Sequence, residues 1–147
     1  MAIQNFLQEQ IDFVFNDCNA IKLYKNGQTK IVLKDDKLFN ELMQIWQVNL
    51  KNSFEMPSLG VSLDNETKQA LKNGYFVEFL FEKTMTHNDM PFDSLLIELT
   101  NEQGGYQLIR GLNNTYEGRC FYLNLFENDN ELFELVDSSF QNENVKN

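Results

Sequence analysis

The stretch from Tyr75 to Phe126 limits what this chain can fold into more than any other. It holds four runs rich in aromatic and branched residues: Tyr75–Glu82, Ser94–Thr100, Tyr106–Arg110 and Gly118–Phe126. Gly, Asn and Pro punctuate the gaps between them. Such runs read as successive β-strands, and their spacing predicts an antiparallel meander.

Upstream, Ala20–Tyr24 and Thr29–Leu33 flank Lys25-Asn-Gly-Gln28, where Asn26-Gly27 is a strong hairpin signal because both positions tolerate positive φ. Helical spacing marks three further segments. Ala2–Phe15 carries Ile3, Phe6, Leu7, Ile11 and Val14 on one stripe. The most hydrophobic helix follows an Asp35 or Asp36 cap and carries Leu38, Phe39, Leu42, Met43, Ile45, Trp46 and Leu50. The last follows the capping-box spacing of Asn128 and Glu131, with Leu132, Phe133, Leu135, Val136 and Phe140 buried. Between them, Ser53–Leu63 reads as a crossing loop. Asn65–Lys72 reads as a short superficial helix capped by Asp64 and closed at Asn73-Gly74. Gln141–Asn147 reads as a frayed polar tail.

The fold class is therefore α+β. Helices pack on one face of a mostly antiparallel sheet, and the N-terminal hairpin joins the meander to make six strands. At 147 residues with no linker-like tract, residues 1–147 are expected to form one domain. Alternation puts Tyr75, Val77, Phe79 and Phe81 on a core face. Phe76, Glu78, Leu80 and Glu82 take the opposite face, which is neither cleanly polar nor cleanly apolar. Either a second helix layer covers it or a partner does. A homodimer across Phe76, Leu80 and Leu96 is one such arrangement.

The net charge is −10, and it is unevenly placed. Up to Gly74, eight Lys/Arg face nine Asp/Glu; from Tyr75 on, four face thirteen. Nucleic acid and anionic membrane surfaces are poor partners for such a chain, and a basic protein is a better one. No apolar run is long enough for a bilayer span, and Met1–Gln10 lacks the form of a secretory signal, so the cytoplasm is the expected location.

In an up-and-down meander, the connections Lys83–Asp93 and Gly111–Glu117 fall at one end of the sheet. That end would gather His87, Asp89, Asp93, Arg110, Tyr116, Glu117 and Arg119 as a candidate binding site. His87, the only histidine, could serve as a base beside Asp89 or Glu117, or ligate a metal with Asp89, Asp93 and Glu117. The plainer reading is an exposed loop histidine. Arg110 and Arg119, the only arginines, suit carboxylate or phosphate, with pairing to Glu78, Glu98, Glu117 or Asp93 as the plainer role. Cys120 beside Arg119 reads as a small buried hydrophobe before it reads as a nucleophile.

No P-loop, dinucleotide fingerprint, nucleophile elbow or zincin motif is present. No catalytic residue, metal site or cofactor is assigned. The expected function is a non-catalytic intracellular binding or regulatory domain, and the alternative is a small enzyme or ligand-binding domain at the loop end.

Overall fold

A computed structural model describes residues 11–57 and 60–145. The predicted N-terminal helix lies mostly outside this range. Its described end, Ile11–Asp17, is a 3-10 helix that buries Ile11, Val14 and Phe15. Strands β1 (Cys18–Lys25) and β2 (Gln28–Leu33) form the expected hairpin, with Asn26 and Gly27 at φ 49° and 89°. Asn26 is also stitched to Gly74 by two hydrogen bonds, which fixes the turn against the start of the meander.

The meander consists of β5 (Tyr75–His87), β6 (Met90–Leu99), β7 (Gln103–Gly111) and β9 (Phe121–Asp129). The N-terminal hairpin joins it through antiparallel pairing of β1 with β5. The sheet has seven strands, because Ser53–Met56 forms β3 on the outer edge of β9. That segment had read as loop. Four residues are too few to show alternation, and the open edge of β9 supplies the hydrogen bonds that make them a strand. A separate two-stranded ladder joins β4 (Val61–Ser62) to β8 (Gly118–Arg119).

Helices α1 (Lys37–Lys51) and α3 (Glu131–Val145) cover the core face, α1 with Phe39, Leu42 and Trp46, α3 with Leu132, Val136 and Phe140. Trp46 packs on Phe79 and edge-on to Phe15 and Tyr106, with ring centroids 5.0, 5.4 and 5.1 Å away. Asp36 sits at the N-cap of α1, but its carboxylate accepts from the Leu33 amide, not from the helix. In α3 the first intrahelical bond runs from the Glu134 amide to the Asn130 carbonyl, so the helix begins two residues later than the capping-box reading implied. It continues to Val145, past the point where a frayed tail was expected.

The largest departure is the segment read as a long loop. Residues 83–93 extend the β5–β6 hairpin to a tight turn at Asn88-Asp89, whose φ values are 50° and 64°. Register shifts between Leu80 and Met85, so Phe81–Thr84 bulge opposite Asp93 alone. A bulge of this kind bends the ribbon. The tip swings over the core, and Phe92 packs edge-on against Phe81 and Phe121. His87 is fully buried at the tip, 4.9 Å from the Phe121 ring, and its Nε2 donates to both Glu55 oxygens at 3.0 and 2.9 Å. Glu55 lies on β3, four strand positions from β5. On a flat sheet that separation would be about 19 Å, so the contact measures how far the hairpin curls. The expectation of an exposed loop histidine is corrected: alternation and the bulge put His87 on the core side.

Replacing Glu55 with Ala should free the tip. We expect a loss of about 1–3 kcal/mol, and faster amide exchange over residues 85–92 while β1 and β2 keep their protection. Unchanged exchange at the tip would show that Phe92 packing alone holds it.

Candidate functional site

Glu78 sits mid-strand in β5, the third of seven strands, and only 5% of it is exposed. A buried carboxylate is tolerated only if hydrogen bonds replace its water. Three hydroxyls do so here. Tyr24 on β1 donates to Oε1 at 2.7 Å. Tyr116 and Ser94 donate to Oε2 at 2.7 and 2.8 Å. Burial first, then the adjacent carboxylate, pushes both phenols far above their usual range, so these hydrogens stay in place.

The chain goes to some length to put Tyr116 there. Asn113 and Asn114 adopt left-handed φ of 53° and 66° in a tight turn bridged by Leu112 and Thr115. Asparagine tolerates that conformation better than most residues. The Tyr116 amide then donates to Asp64 at the start of α2 (Asp64–Ala70), and its carbonyl accepts from Ser62. That amide, then Lys68, holds the Asp64 carboxyl below its usual range. Gly111 leaves room for the ring. A Cβ there would collide with Ser94 Oγ and press on Tyr116. Tyr24, Phe76, Leu96 and Tyr116 form a second apolar cluster, backed by Leu71 just beyond α2.

The cluster borders a cavity of about 420 Å³. Glu78, Tyr24, Tyr116 and Ser94 line its polar side, with Asp93 and Asn114 beside them. Ile31 and Leu80 supply apolar wall, and Ile31 is half exposed at the mouth. Lys22 lies directly across from Glu78 in the β1–β5 register, with its ammonium 5.1 Å over the Tyr24 ring.

Part of the predicted loop-end cluster meets here. Asp93 and Tyr116 line the cavity, and Asp93 also accepts from the Asn113 amide at 3.2 Å. Arg110 stands behind it, donating to the carbonyls of Arg119 and Pro91 at 2.7 and 2.8 Å. Those carbonyl bonds take the place of the expected pairing with a carboxylate. Arg119 is exposed on β8 opposite Val61. Glu117 lines a different depression with Asp64 and Glu66. Asp89 occupies the exposed hairpin turn, and His87 lies on the core side of the sheet. Cys120 is buried on the opposite face from His87, with its thiol pushed up by burial. Among the described residues, no three His, Cys, Asp or Glu side chains are grouped to hold a metal ion.

Compared with family models, curated proteins and solved structures, the chain gives no match. No helix among the described residues is long and apolar enough to cross a membrane.

Sequence reasoning passed over Glu78, Tyr24, Ser94 and Lys22 as site residues. The available signal was Glu78 itself, a lone carboxylate inside Tyr-Phe-Val-Glu-Phe-Leu-Phe on an inner strand. It also missed Glu55, which had been placed in a loop.

Tyr116→Phe should lower stability by about 1–2 kcal/mol, since the carboxylate keeps only two donors. Glu78→Gln should cost more, because an amide donor then faces hydroxyl donors. The double variant should cost clearly less than the sum in urea denaturation. Strict additivity would disprove the network.

Proposed function

We propose that the protein is a non-catalytic binding module whose ligand site is the cavity over Glu78. The carrying observation is that buried, fully bonded polar groups line an open, partly apolar cavity of about 420 Å³. This size falls within the usual range for small-ligand pockets, where a few placed polar groups orient an otherwise apolar contact. The absence of an activated nucleophile in the site favours binding over turnover. The carboxylate that accepts the Ser94 hydroxyl hydrogen is shared with two tyrosine hydroxyls and is not dedicated to Ser94.

The test is a fragment screen read by amide shifts. Fragments should move Lys22, Ser94, Gly111 and Asn114 in the native protein, and Ser94→Val should weaken that response several-fold. A diverse library that leaves those four amides still would overturn the reading.

A second reading, association with a basic protein, draws on the β9–β3 edge of the sheet. Phe54 on β3 and Phe126 on β9 are 41% and 66% exposed, with ring centroids 5.1 Å apart. Exposed Glu127, Glu131 and Glu134 follow Phe126 along the chain. Aromatic anchors rimmed by one charge sign suit an interface with the opposite sign. Phe76 and Leu96, named above for one possible homodimer, are buried and give this reading no anchor. Phe126→Ser should abolish capture of a basic partner, and raised salt should weaken it. Capture indifferent to salt would count against this reading.

A further inference from the structure

The cavity's hydrogen-bonding character points to its ligand. Tyr24, Ser94 and Tyr116 each have one hydroxyl hydrogen, and each spends it on Glu78. Their oxygens therefore turn only lone pairs toward the cavity. Glu78 and Asp93 add carboxylate acceptors to the same wall. Among the lining side chains the remaining donors are the Lys22 ammonium and the Asn114 carboxamide. A ligand carboxylate or phosphate would meet two like charges and few donors. A ligand bringing its own N–H groups and a positive charge would meet acceptors on several sides.

Lys22 supplies a second, independent observation. It faces Glu78 in register, yet its ammonium rests over the Tyr24 ring. The wall thus already hosts a cation on a flexible stem, one that a diffusible cation can displace. Ile31 and Leu80 offer apolar surface for a short hydrocarbon body.

We infer that the cavity binds a small organic cation, a primary ammonium or guanidinium on a short apolar chain, with its N–H groups on the Tyr24, Tyr116 and Asp93 oxygens. This rests on the cavity being the ligand site. The same chemistry could come from a free amine or from a lysine or arginine side chain of a protein.

The experiment titrates the native protein at neutral pH with pentylammonium, pentylguanidinium, neutral pentanol and pentanoate, following the Lys22, Ser94, Gly111 and Asn114 amides. The cations should bind at least ~10-fold more tightly than pentanol, as charge-assisted bonds to these oxygens would give, and pentanoate should bind worst. Lys22→Met, which leaves the Glu78 network intact, should tighten the cations several-fold and by clearly more than it changes pentanol binding. Nα-acetyl-lysine methylamide separates the sources. Binding tighter than pentylammonium indicates a protein side chain, weaker binding a free amine, and either result upholds the cation site. Pentanol or pentanoate binding as tightly as the cations would overturn the inference while leaving the cavity as a ligand site. Silence from every compound in both this series and the fragment screen would overturn both.

Discussion

A carboxylate buried in the middle of an inner strand constrains everything around it. Leaving Glu78 without partners would cost several kcal/mol, more than most single contacts in a protein return. The fold answers with donors from three separate places: β1, β6 and the β7–β8 connection. The last is the most demanding. Tyr116 reaches Glu78 only because Gly111 has no side chain, because two asparagines accept left-handed backbone, and because Asp64 and Ser62 hold the tyrosine's own peptide groups. The small β4–β8 ladder then reads as scaffolding for one side chain. An apolar residue at position 78 would make most of this unnecessary, and replacing buried ionic groups by apolar ones is often neutral or stabilising. A network that stability alone does not require is where a function is most economically placed.

The parts of this structure legible in the sequence are those set by period and by turn chemistry. Alternation assigned the two faces of β5 correctly, because a strand cannot turn one residue without turning its neighbours. Asn26-Gly27 and the spacing around Trp46 marked the first hairpin and α1 for equally local reasons. The failures are non-local. Whether Ser53–Met56 is a strand depends on β9 having a free edge, which no property of those four residues reveals. The bulge at Phe81–Thr84 interrupts alternation, so Lys83–Asp93 looked like a loop, although Asn88-Asp89 carried the same turn chemistry as Asn26-Gly27. Reading past the bulge would have placed His87 on the core side and removed it from the loop-end cluster.

The candidate site was half visible for the same reason. Topology alone brought Asp93 and Tyr116 to one end of the sheet, and both line the cavity. Tyr24 and Lys22 come from β1, and their approach to Glu78 depends on the β1–β5 register, which hairpin and meander signals do not specify. Arg110 shows how a plausible ligand group can be absorbed by backbone. Its guanidinium satisfies two carbonyls where β6 and β8 pass close by, and burial pulls its pKa down accordingly.

The β5–β6 hairpin carries two buried polar assemblies, one on each side of its bulge. Its stem sends Glu78 and Ser94 to the cavity face. Its tip sends His87 to the core face, where Glu55 receives it. Four residues opposing one at the bulge let the two halves take different directions without breaking the ribbon. The stem is held by β1 along β5 and by β7 at Ser94–Leu96 of β6. The tip lies beyond that pairing, and the His87–Glu55 pair and aromatic packing against Phe121 fix its position. The cavity therefore rests on the rigid part of the hairpin, as a site needing sub-ångström placement of three hydroxyls requires. The tip, whose removal would uncover Phe121, closes the core and leaves the cavity's geometry to the stem.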